Sequence, residues 1–114
     1  LVKKAQHRSF KVAARKATKR MEKWVEEGAI NCQDLLLLVK AEDASLVRNK
    51  SVDEKTRAYK LAITTAGRHG KIQLRALACE RAGKFLLLQA GKNYEAEEML
   101  RDARDLYAEW GAKA

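Results

Sequence analysis

Phe10, Ala13, Ala14, Ala17, Met21, Trp24 and Val25 fall three or four positions apart, which lines them along one face of a helix. The same spacing returns in four later segments, and not one proline interrupts the 114 residues. A proline inside a helix removes an amide donor and clashes with the preceding turn, so its absence leaves long helices unbroken. No stretch alternates apolar and polar residues as a half-buried strand does. The expected fold is all-α, with about five antiparallel helices in one domain of 1–114.

Punctuation between the stripes sets the segments. A first helix over 1–27 ends at Gly28. A second, 32–48, starts at the capping residue Asn31 and ends near Asn49, with Leu35, Leu38, Val39 and Leu46 on its main face. The third opens on Ser51-Val52-Asp53-Glu54, a capping box in which serine and glutamate satisfy orphan amides reciprocally. Its stripe is Val52, Tyr59, Ala62, Ile63 and Ala66, and Gly67 and Gly70 stop it. The fourth runs over 72–90 on Leu74, Leu77, Ala78, Ala82, Phe85 and Leu88. The fifth covers 93–110 and is closed by Gly111. Links this short favour helical hairpins, 31–70 and 72–111, behind the first helix.

The second members of these pairs carry small residues in matching places. Ala58-x-x-x-Ala62-x-x-Thr65 answers to Ala96-x-x-x-Leu100-x-x-Ala103, 38 residues further on. Small side chains let neighbouring helices approach closely, and the spacing predicts a tetratricopeptide-like helical hairpin array. Longer stretches carry a more specific likeness. They are Leu36-Leu37-Leu38-Val39-Lys40-Ala41-Glu42, Tyr59-Lys60-Leu61-Ala62-Ile63-Thr64-Thr65-Ala66 and Ala76-Leu77-Ala78-Cys79-Glu80-Arg81-Ala82-Gly83-Lys84-Phe85. With the ending Trp110-Gly111-Ala112-Lys113-Ala114, they resemble the tetratricopeptide-like region of large predicted-ATPase signalling proteins. In that family a kinase and ATPase module precedes the helical repeats, and GAF or histidine-kinase sensor modules follow. The resemblance implies a non-catalytic scaffold or protein-protein interaction module whose catalytic partners lie elsewhere. The chain opens on Leu1, and it is expected to be a piece of a longer protein.

Charge is distributed unevenly. Of 24 basic and 15 acidic residues, eight basic and no acidic ones fall within residues 1–20, leaving 16 basic and 15 acidic in the rest. The excess therefore belongs to the first helix, whose Lys4, Arg8, Lys11, Arg15, Lys16, Lys19 and Arg20 make up a candidate partner-binding face. A basic amphipathic helix suits an acidic protein partner, peptide or helix. It also suits the phosphates of a nucleic acid or an anionic membrane surface, or it is simply a solvated end cap of a helical array. Base stacking would need exposed aromatics beside those cations, and only Phe10 and Trp24 are placed for it.

Catalysis, cofactors and metals are not expected. Glu42 falls within the stripe of the second helix, so it is either a buried carboxylate paired with a cation or an edge residue reaching solvent. Glu80 poses the same question, and only a shared cavity would make the two an acid–base pair. His7 and His69 lack a ligand partner at helical spacing. His69 is expected to cap the third helix and meet its dipole. Gly67-x-x-Gly70 lacks both the strand and the Gly-Lys-Ser/Thr ending of a phosphate loop. The longest apolar run, Leu35 to Val39, is far short of the ~20 residues that cross a bilayer. Cys32 and Cys79 read as two buried free thiols, and the expected setting is a reducing, cytoplasmic one.

Overall fold

The computed structural model describes the backbone of residues 2–113 and the side chains of residues 8–111. Helices α1 (Val2–Glu26), α2 (Cys32–Ser45), α3 (Val52–Arg68), α4 (Ile72–Phe85) and α5 (Asn93–Lys113) follow in order, with a π-helical turn (Leu86–Ala90) between the last two. No strand occurs among the described residues, and the fold is all-α. Successive helices pack on one another from α2 to α5 as helical hairpins.

Local chemistry sets most of the boundaries. The Asn31 side chain accepts the Asp34 amide at 2.8 Å and starts α2. Ser51 Oγ accepts the Glu54 amide at 3.1 Å and starts α3. The return contact of this capping box goes from the Ser51 hydroxyl to Glu54 Oε1 at 3.4 Å. Gly28, Gly70 and Gly91 take left-handed φ values after α1, after α3 and after the π turn.

Three boundaries and two stripes differ from expectation. Helix α2 ends at Ser45 and not near Asn49. There the Ser45 hydroxyl donates to the Glu42 carbonyl at 2.6 Å, and the Leu46 amide turns back to Asp43 and Ala44. Leu46 is consequently off the core face and 42% exposed, and Val52, the first residue of α3, is also exposed. Regular helix α4 stops at Phe85, short of Ala90. Three consecutive leucines cannot all share one face, and the wider π turn buries Leu86 while leaving Leu87 exposed. Helix α5 runs through Gly111, which has no left-handed φ, and Trp110 is held edge-on against Trp24 with ring centroids 5.8 Å apart.

The centre of the molecule is α4. Nine of its fourteen residues are buried, and it touches every other helix. Gly83 permits the closest approach: a Cβ there would lie 2.7 Å from Leu100 Cγ and 3.3 Å from the Ala96 carbonyl of α5. Ala96 and Ala103 are buried along the same contact. Helix α1, ~38 Å long at 1.5 Å per residue, fits only along the 41 Å axis of a body 25 by 22 Å across. Its apolar stripe packs partly on α2. It lies across α4 and the π turn as well, with Phe10, Ala17, Met21 and Trp24 buried.

Candidate functional site

Helix α1 is where the charge lies, and burial of its apolar face determines what it displays. Phe10 and Met21 have no exposed surface, so the helix is seated and its azimuth fixed. Arg8, Lys11, Arg15, Lys16 and Lys19 are all exposed. The side chain of Lys4 lies outside the described residues, as does that of His7.

Arg20 differs from the others. Its Nη2 donates to the Tyr107 hydroxyl at 3.2 Å, its Nη1 lies 3.8 Å from Glu80, and its guanidinium stands over both Trp24 and Tyr107. It ties α1 to α5 and is only half available to a partner. Tyr107 in turn donates to Glu80 at 2.9 Å, and burial followed by the Glu80 carboxylate pushes its phenol well above the usual range.

The remaining cations do not form one continuous face. Arg8 and Lys16 flank a groove of about 740 Å³ between α1 and the α4–π turn–α5 side, with Lys84 across from them. Val12, Leu87, Leu88 and Leu100 supply its apolar lining. Lys11, Arg15 and Lys19 flank a second groove of about 510 Å³ on the α2 side. That one is also lined by Glu22, Glu42 and Asp43, so carboxylates already face its cations. The first groove has no acidic residue in its lining.

Beneath the second groove sits a buried polar network that the periodicity only half indicated. Glu42 is the buried, paired carboxylate of the two readings left open. Arg81 of α4 pairs with it through Nε, and Arg81 Nη2 reaches Glu42 Oε2 at 3.3 Å and the Phe10 carbonyl at 3.4 Å. The Tyr59 hydroxyl of α3 donates to Glu42 Oε2 at 2.7 Å. Burial, then the adjacent carboxylate, drives the Tyr59 phenol far above its ordinary range, so it remains a donor. The Arg81 guanidinium also lies 4.4 Å from the Phe10 ring centroid. One ion cluster thus joins α1, α2, α3 and α4. Arg81 is i+4 from Leu77 and i−4 from Phe85, and that register was the available signal that it faces the core.

Glu42 and Glu80 are not brought together. Glu80 is held by Arg20, Tyr107 and Lys84 and does not line the groove that Glu42 lines. His69 does stand at the α3 C-terminus, but its ring serves Asp34: Nδ1 lies 2.8 and 3.0 Å from the two carboxylate oxygens of that buried residue. Asp34 was not anticipated. Phe10 and Trp24 are both buried and offer no stacking platform for bases. Among the described residues no cluster of three His, Cys, Asp or Glu side chains could hold a metal, and no helix is long and apolar enough to cross a membrane. Cys79 is buried and its thiol is pushed up to about 11, chiefly by burial. Cys32, expected to be buried, is exposed in the first turn of α2. Cys32 stands one turn before exposed Leu36, on the side of α2 away from buried Asp34 and Leu38.

Comparison of the chain with known protein families, curated proteins and solved structures gave no match.

Proposed function

We propose that the chain is a non-catalytic, tetratricopeptide-like interaction module in which α1 presents a basic surface to an acidic protein partner. The observation that carries this reading is the division of α1. Its apolar side is consumed by the core, whereas Arg8, Lys11, Arg15, Lys16 and Lys19 are displayed to solvent on a helix that cannot rotate. A fixed array of cations attracts a complementary surface without first paying to order itself. The resemblance to the helical-repeat region of large signalling proteins supports the same role, that of a scaffold or relay. Two cysteines with no disulfide between them fit a reducing compartment.

Binding of a nucleic acid through the same helix is the competing reading, and it loses support because the aromatics beside the cations are buried. A titration decides between them. A fluorescent glutamate-rich peptide is expected to bind the chain, and to lose binding when the five exposed cations of α1 are replaced by glutamine with the helical circular dichroism intact. Tighter binding to duplex or single-stranded DNA than to the peptide, with a steep dependence on salt, would overturn the proposal.

A further inference from the structure

The two flanks of α1 are not equivalent, and the difference identifies what kind of partner fits. We infer that the groove between α1 and the π turn receives the apolar face of an acidic amphipathic helix; this rests on the interaction reading above and deepens it.

Three observations converge on that groove. Its mouth exposes large apolar side chains, with Val12 49% and Leu87 41% accessible, although both sit on elements packed into the core. Exposed leucine and valine around a concave surface mark a contact waiting for an apolar counterpart. The rim is cationic throughout: Arg8 and Lys16 have no carboxylate partner among the described residues, and Lys84 shares Glu80 at 3.4 Å. The second groove, by contrast, meets its cations with Glu22 and Asp43, which would repel an acidic ligand. Finally, the wall opposite α1 is a π-helical turn, a rare distortion that concentrates at functional sites. The same turn leaves the Gln89 side-chain amide buried without a hydrogen-bond partner.

The dimensions suit a helix. Arg8 and Lys16 are eight residues apart, ~12 Å along the axis of α1. An amphipathic ligand helix presenting residues i, i+4 and i+7 covers ~10.5 Å. Two turns of such a helix place their apolar anchors over Val12, Leu87 and Leu100, with glutamates on either side facing Arg8, Lys16 and Lys84.

The test uses two fluorescein-labelled peptides of leucine and glutamate with the same composition. One has leucines at i, i+4 and i+7, and the other has them permuted off that spacing. The spaced peptide is expected to bind at least about tenfold more tightly than the permuted one. Arg8→Gln/Lys16→Gln/Lys84→Gln, and separately Val12→Glu/Leu87→Glu, should each weaken it by about tenfold or more, while Lys11→Gln/Arg15→Gln/Lys19→Gln changes it less than about threefold. Equal binding of both peptides, or a larger loss from the Lys11, Arg15 and Lys19 set, overturns the groove assignment and leaves the interaction reading standing. Indifference of the peptide to all six cations overturns both. Binding to phosphatidylserine vesicles with loss in the Val12/Leu87 variant, and none to either peptide, replaces the protein helix with a membrane surface and overturns the inference. Circular dichroism on each variant separates lost binding from lost fold.

Discussion

The two sides of α4 are held by opposite means. Toward α2 and α3 it offers Arg81, whose guanidinium is locked between the Glu42 carboxylate, the Phe10 ring and the Phe10 carbonyl, with Tyr59 completing the carboxylate's bonds. Toward α5 it offers the absence of a side chain: Gly83 admits Leu100, and Ala96 and Ala103 keep the backbones close. The first seam is specified by hydrogen bonds and charge, which tolerate only one arrangement. The second is specified by volume, where close packing gains dispersion energy and any added atom is resisted. The difference teaches that α1 draws on the ionic seam, through its Phe10 carbonyl and ring, as well as on its Arg20 and Trp24 contacts with α5, so the candidate binding helix depends in part on the polar half of the core.

Breaking the ionic seam should have the largest effect. Arg81→Met leaves Glu42 buried without a cation, and the expected loss is about 3–5 kcal/mol in denaturant unfolding. Adding Glu42→Leu removes the stranded charge, and the double variant should recover at least half of that loss. If the double variant unfolds as easily as the single one, the pair's worth is not in its charges and the contrast between the seams collapses. On the other side, Gly83→Leu forces a side chain into the space of Leu100 and should cost about 1–3 kcal/mol. Combining it with Leu100→Ala should return part of that stability, because the clash is with Leu100 Cγ at 2.7 Å. Unchanged stability of Gly83→Leu would mean that the close approach of α5 is not a constraint.

A smaller effect is expected where a polar contact is half exposed. His69 ties the end of α3 to Asp34 near the start of α2, at the edge of the polar half. His69→Ala should cost about 1 kcal/mol, since the imidazole is half exposed and its removal lets water reach the buried Asp34 carboxylate. A loss comparable to that of Arg81→Met would make the edge of this half as important as its centre.

How far these seams could be foreseen depends on what a helical wheel contains. It reports azimuth about a helix's own axis, and that sufficed for the buried face of α1, for Tyr59, Ala62 and Ala66 of α3, and for Leu74, Leu77 and Phe85 of α4. Side-chain caps act within one turn, so Asn31 and Ser51 were legible too. Partnerships between helices were not. Glu42 was recognisable as a buried carboxylate, but its cation is 39 positions away and nothing local pairs them. The α1 cations read as one face for the same reason: Arg8 and Lys16 separate from Lys11, Arg15 and Lys19 only when α4, the π turn and α2 take places on either side. The π turn itself had no local signal, since the leucines at 35–38 of α2 stay in regular helix whereas those at 86–88 do not.

A last effect, confined to alkaline pH, sharpens the comparison. Cys79 sits on α4 with Asp102 of α5 as its main electrostatic neighbour, and burial with that carboxylate raises its thiol from 9.0 to about 11. Between those values the folded chain keeps a proton that the unfolded chain has released. Unfolding is then favoured as pH rises, so stability present below pH 9 declines toward pH 11. A Cys79→Ala variant should show a shallower alkaline decline than the parent chain in parallel urea titrations, with any constant cavity cost cancelling in the slope. The remaining decline should come from Tyr59 and Tyr107, whose phenols are displaced in the same direction. Thiol labelling gives an independent reading: a disulfide reagent should modify exposed Cys32 in the native chain and reach Cys79 only after denaturant is added. Rapid native labelling of Cys79 would mean that the volume-packed seam opens readily, and the close contact of α5 would then be the weaker of the two halves.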